Sequence, residues 1–135
     1  MKYVLAIYAD ESRMKEWSES EVAAEIDAYW RLDAAAQEAG VLVDSQPLAD
    51  SGSTATVKVR DGNAVVTDGP FAESKEQLGG FYLLDCSSRE EAVEWAARIP
   101  GAAHGHVEVR AVVEYAPPEW MENRAAANGT GASSE

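Results

Sequence analysis

The chain has little sulfur or imidazole to work with. One cysteine, Cys86, in 135 residues excludes an intramolecular disulfide. Its place in an apolar run makes it a small core residue rather than a nucleophile. The two histidines, His104 and His106, both lie late in the chain, so no imidazole stands near Cys86 in sequence to activate it. Two histidines with no third ligand nearby do not make a metal centre. Positive charge is also scarce: 11 lysines and arginines face 24 acids, for a net charge of −13. Such a balance argues against a basic surface that neutralises nucleic-acid phosphates or docks on anionic lipid. No apolar run approaches the roughly 20 residues that span a membrane. The run after Lys2 stops at Tyr8, too soon for a signal peptide. With the lone cysteine, this predicts a cytoplasmic protein. Gly79-Gly80 lacks the spacing of a phosphate loop, so no nucleotide cofactor is expected.

What is present reads as one domain, long enough to bury roughly two-thirds of its unfolded surface without a staple. Residues 2–8, rich in Val, Ile and Tyr, form a buried strand. A polar loop over 10–19 carries Met14 and Trp17, the tryptophan as a local anchor. Ser18 with Glu21 makes a capping box that opens a helix to about residue 39, with Val22, Ile26, Tyr29, Leu32 and Ala36 at helical spacing and Gly40 as its stop. A short strand follows at 41–43. Residues 54–60 alternate Ala55, Val57, Val59 against Thr56, Lys58, Arg60, turn at 61–63 and return over 64–67 as a hairpin whose polar face meets solvent. Residues 81–86 form a strand. Ser87 and Ser88, with Glu90 and Glu91, cap a second helix that carries Ala92, Val93, Ala96 and Ile99 inward. In 106–114, Val107, Val109, Ala111 and Val113 face the helices, and His106, Glu108 and Arg110 face the other way. Beyond Pro117 the pattern fails, and the end of the chain, after about residue 124, is expected to be disordered.

Strand–helix–strand, hairpin, strand–helix–strand is the split βαβ order, so the elements themselves predict an α+β, ferredoxin-like domain with an inserted hairpin. The whole is organised around residues 68–82. Gly69-Pro70 sets a rigid turn after the hairpin. Asp68 reads equally as a turn cap and as a cleft acid. Phe71 is expected to pin the turn to the core. Glu73 and Lys75 read as a rim of charge or as a solvated pair, and Gly79-Gly80 admits close backbone approach.

Residues 1–8 (MKYVLAIY), 68–73 (DGPFAE), 75–80 (KEQLGG) and 95–100 (WAARIP) resemble the DGPF branch of the YCII-related family, over about residues 1–116. The resemblance implies a ferredoxin-like domain that pairs into a dimeric α/β barrel, with residues 117–135 as a tail. It implies no assigned activity. Relatives often occur beside, or fused to, extracytoplasmic-function sigma factors, which implies a sigma-factor-linked protein partner. A related branch carries a His–Asp pair in its cleft, but here no histidine precedes His104 to take that part.

In such a barrel the sheet face away from the helices lines the interior. Glu108 and Arg110 are then either a ligand-orienting pair or a cross-strand ion pair at a dimer contact. Three functions follow. The first is a cofactor-free enzyme for elimination, isomerisation or hydrolysis, with Asp68 as base, Arg110 or a tyrosine as oxyanion partner, Glu108 as a third catalytic candidate, and Tyr8, Phe71, Glu73, Lys75 and Tyr82 around the ligand. The second is a binding or regulatory module without turnover. The third is a structural homodimer with a filled interior.

Overall fold

The computed structural model describes residues 1–72 and 74–121. Strand β1 (Lys2–Ala9) alternates strictly, sending Tyr3, Leu5, Ile7 and Ala9 into the core. It lies at the centre of a four-stranded antiparallel sheet. Strand β5 (Gln77–Asp85) pairs along one side and β6 (His106–Ala111) along the other, and β2 (Leu42–Pro47) sits outside β5. The order is β2-β5-β1-β6, while β3 (Ala55–Arg60) and β4 (Asn63–Asp68) form a separate two-stranded sheet. This α+β arrangement is compatible with the ferredoxin-like fold expected from the element order. Among the described residues no barrel is closed, because the sheet ends at β2 on one side and β6 on the other.

Helices α2 (Glu19–Glu38) and α3 (Arg89–Ala97) cover one face of the sheet, after a short α1 (Glu11–Met14). The capping box of α2 is complete: Glu21 N–H donates to Ser18 Oγ at 3.1 Å, and Ser18 N–H to Glu21 Oε1 at 2.8 Å. Gly40 ends the helix at φ +75°, a conformation that glycine adopts without strain. The inward line of α2 differs from the expected one. Leu32 and Ala36 are buried with Tyr29 beside them, whereas Val22 and Ile26 are exposed. Glu25, four residues before Tyr29, takes the inner line instead, and its carboxylate meets His104 Nε2 at 2.7 Å. The ring of Trp17 packs edge-on against His104 at 4.9 Å, which makes the tryptophan a local anchor. In α3, Ala92, Trp95 and Ala96 point inward with Ile99 following, and Val93 is exposed. The inward set is thus i, i+3, i+4 and i+7.

Two loops are shorter than the sequence suggests. Residues 11–14 are helical, capped by Asp10, which accepts from Ser12 N–H at 3.0 Å and Ser12 Oγ–H at 2.6 Å. Strand β5 begins at Gln77 rather than 81, so Gly79 and Gly80 lie inside the strand. A side chain at Gly80 would sit 2.9 Å from the Gln46 carbonyl oxygen, and its absence lets β2 close on β5. The hairpin turns on Asp61-Gly62, both at positive φ (52° and 78°), as a two-residue turn between right-twisted strands requires. Cys86 is buried, and burial raises its thiol pKa above the ordinary value.

Candidate functional site

The alternation that buries one face of the sheet leaves the other uncovered. On β1 the uncovered side chains are Val4, Ala6 and Tyr8. The register opposes Val4 to Arg110, Ala6 to Glu108 and Tyr8 to His106, so the three polar residues of β6 share that face. Phe81 and Leu83 of β5 extend it on the other side, since Gly80, Tyr82 and Leu84 point to the core. The result is an open concavity of about 380 Å³, lined by Val4, Ala6, Tyr8, Glu108, Arg110, Ala111 and Val112. Its floor is aliphatic and its polar groups are few, as in small-molecule sites.

Arg110 is the one cation among these lining residues. The Tyr8 hydroxyl has its pKa raised, by burial first and then by the Glu108 carboxylate beside it, with Arg110 acting in the opposite direction. The phenol therefore stays protonated at neutral pH and can donate a hydrogen bond. Chemically, the trio offers a donor, a carboxylate base and an anion anchor within one turn of sheet.

A second polar group gathers at the end of β1. Glu76 reaches across β1 to His106, with Oε1 2.7 Å from Nδ1. Lys75 lies close enough to Asp10 to lower that carboxyl's pKa, a smaller effect than the hydrogen bonds from Ser12. Strand alternation in the sequence puts His106 on this face but does not join it to Glu76. Thirty residues separate the pair, and only the β5-β1-β6 order brings them together. The available signal was Glu76 at the entry to a strand flanking β1.

Of the residues expected at the site, Tyr8, Glu108 and Arg110 converge on the concavity. Tyr82 does not. It is buried on the helix side, where its hydroxyl donates to Asp33 Oδ1, because its neighbours Phe81 and Leu83 take the open face. Asp68 sits at the end of β4 in the separate hairpin sheet and is not among the residues that line the concavity. No backbone N–H among the described residues donates to its carboxylate; the turn is held instead by Gly69 N–H to the Thr54 carbonyl and Thr56 Oγ–H to the Gly69 carbonyl, each 2.7 Å. Phe71 pins nothing to the core: it is 89% exposed. Lys75 belongs to the group at the end of β1, and Glu73 lies outside the described residues. The expected tail falls largely outside them too, beyond residue 121. Among the described residues no three His, Cys, Asp or Glu side chains gather to hold a metal ion. No helix among them is long and apolar enough to cross a membrane.

Fold and site together define an α+β protein with one helix-covered sheet face and one free face that carries its polar groups. The chain belongs to the YCII-related family: the YCII-related domain matches residues 1–116. It is also similar to an uncharacterized protein of Rhizobium meliloti (strain 1021), 40% identical over 124 residues that span 88% of this chain and 98% of that relative.

Proposed function

We propose that two copies of the chain pair through their open sheet faces and enclose a site for a small anionic molecule. The observation that carries this reading is the convergence of Tyr8, Glu108 and Arg110 on an apolar concavity that stands open among the described residues. A sheet face with the half-buried Val4, Ala6, Phe81 and Leu83 on it leaves a continuous apolar surface partly open, which suits an interaction surface. Covering it with a second copy by twofold symmetry is the commonest solution. The enclosed Arg110 then anchors a carboxylate or enolate oxygen. The chain's negative charge opposes anion binding only at long range, where salt screens it over roughly 8 Å. At contact, Arg110 dominates.

Within that site Glu108 is the base, in place of Asp68, and Tyr8 is the donor that holds a developing oxyanion. This chemistry suits elimination or isomerisation of a small carbon acid without a cofactor. Isothermal titration with pyruvate, malonate and benzoate tests the binding step. The wild type should bind at least one of them, and Arg110→Gln should weaken that binding tenfold or more. Equal binding by the variant, or no binding of any of the three by the wild type, would remove the anion-site reading.

A further inference from the structure

The open face is uneven, and the smallest side chain of its central strand stands in the middle. On β1, Ala6 lies between Val4 and Tyr8 on that face. The two registers set Ala6 opposite Phe81 of β5 on one side and Glu108 of β6 on the other. Directly opposed side chains start about 5 Å apart and diagonal ones about 7–8 Å. The backbones of β5 and β6 stand two strand spacings apart across β1, or about 9.5 Å, which leaves room for one six-membered ring above the Ala6 methyl. Two of the four walls of this depression are aromatic, Phe81 and Tyr8; the others are Val4 and the Glu108 carboxylate. Arg110 lies on the diagonal from Ala6, within reach of a long side chain.

We propose that the ligand is a planar, unsaturated ring carboxylate, with its ring on Ala6 and its carboxylate on Arg110. The inference rests on the anion site proposed above and narrows it to one chemical class. An aromatic ring has a negative face and a positive edge. Seated over Ala6, it turns an edge to the Glu108 carboxylate and meets Phe81 and Tyr8 as aromatic neighbours. A saturated ring of the same charge buries similar apolar area but has no positive edge for Glu108 and no quadrupole for the two rings. Shorter acids reach Arg110 and leave the depression unfilled. Arg110 is thus the anchor, while Ala6 and Phe81 set specificity. The chemistry stays the one proposed above: a ring C–H at that edge gives its proton to Glu108, and its electron pair moves through the ring system onto a ring oxygen held by Tyr8.

Isothermal titration of the full-length protein with benzoate, cyclohexanecarboxylate and malonate tests the assignment. The wild type should bind benzoate about tenfold more tightly than cyclohexanecarboxylate, the effect of two aromatic contacts. In Phe81→Leu, with circular dichroism unchanged, that preference should fall to about threefold, because one of the two contacts is gone. Should Phe81→Leu misfold, Ala6→Val serves instead: filling the depression should weaken benzoate relative to malonate by about tenfold. Cyclohexanecarboxylate bound as tightly as benzoate overturns the ring class. So does a benzoate preference undiminished in Phe81→Leu, or a benzoate-to-malonate ratio unchanged in Ala6→Val. A wild type that binds malonate through Arg110 but neither ring acid overturns this proposal and leaves the anion site standing. A wild type that binds none of these acids, nor pyruvate, overturns both.

Discussion

Gly105 shows how much a single missing side chain can decide. A Cβ there would lie 2.1 Å from the Tyr8 carbonyl oxygen, so β6 can enter beside β1 only with glycine at this point. Gly105→Ala should cost more than about 2 kcal/mol in urea unfolding, because backbone rather than a flexible side chain stands in the way. Gly52→Ala, with nothing within 4 Å, should stay within about 0.5 kcal/mol. Tyrosines provide a pH signature. Burial pushes the Tyr29 hydroxyl up to about 12, against the opposing effect of Gly101 N–H, which donates to it at 3.1 Å. Burial and the bond to Asp33 push Tyr82 up as well. A raised pKa means that the unfolded chain ionises first. The stability these groups contribute is thus intact below about pH 10 and is lost as pH climbs from 10 through 12. Urea midpoints across that window should fall for the wild type and fall less steeply for Tyr29→Phe; identical slopes would contradict the assignment. Asp68→Asn should leave both fold and ligand binding unchanged, since Asp68 stands in the hairpin and not at the concavity.

At the level of elements, much was legible from short-range rules. The capping box at Ser18, the stop at Gly40 and the two-residue turn at Asp61-Gly62 are local chemistry, and all three stand where the residues place them. Ser18→Ala should therefore cost about 1 kcal/mol in thermal or urea unfolding. Alternation in β6 was readable as far as Arg110, and with it the shared face of His106, Glu108 and Arg110, whereas Ala111 and Val113, expected to face the helices, are exposed because the strand ends at Ala111. Whatever depended on a distant partner was not. Val22 and Ile26 have the spacing of a core stripe, but the inner line runs through Glu25, because His104, far along the chain, satisfies that carboxylate. Phe71 looks like an anchor in a polar loop, yet the turn it follows is held by Thr54 and Thr56 and needs none. Tyr82 was expected beside the ligand and lies on the core side for a similar reason, opposite the buried Leu5. Strand parity is fixed by the register with β1, and the irregularity between Ile7 and Tyr8 lies outside any periodicity.

At the scale of the whole molecule, the two faces of the sheet divide the work. Its helices bury one face of the sheet and supply a core of ordinary composition, while the polar chemistry collects on the face left bare. Membership of the YCII-related family was readable from the motifs around residues 68–80, although those residues mark the way into the sheet more than the site itself. Of the charged side chains in that stretch, Lys75 and Glu76 gather at the end of β1, and the groups that face the concavity come from β1 and β6 instead. This division explains why a conspicuous loop and a plain alternating strand exchange importance once the sheet is assembled. The open face is where we propose that a ligand sits. The direct measurement is an amide ¹H–¹⁵N map of the full-length protein titrated with malonate. Shifts should concentrate at Val4, Ala6 and Tyr8 and at Glu108 through Val112, and should vanish in Arg110→Gln. Shifts centred on the Asp68–Phe71 turn, or none along β1 and β6 at saturating malonate, would contradict it.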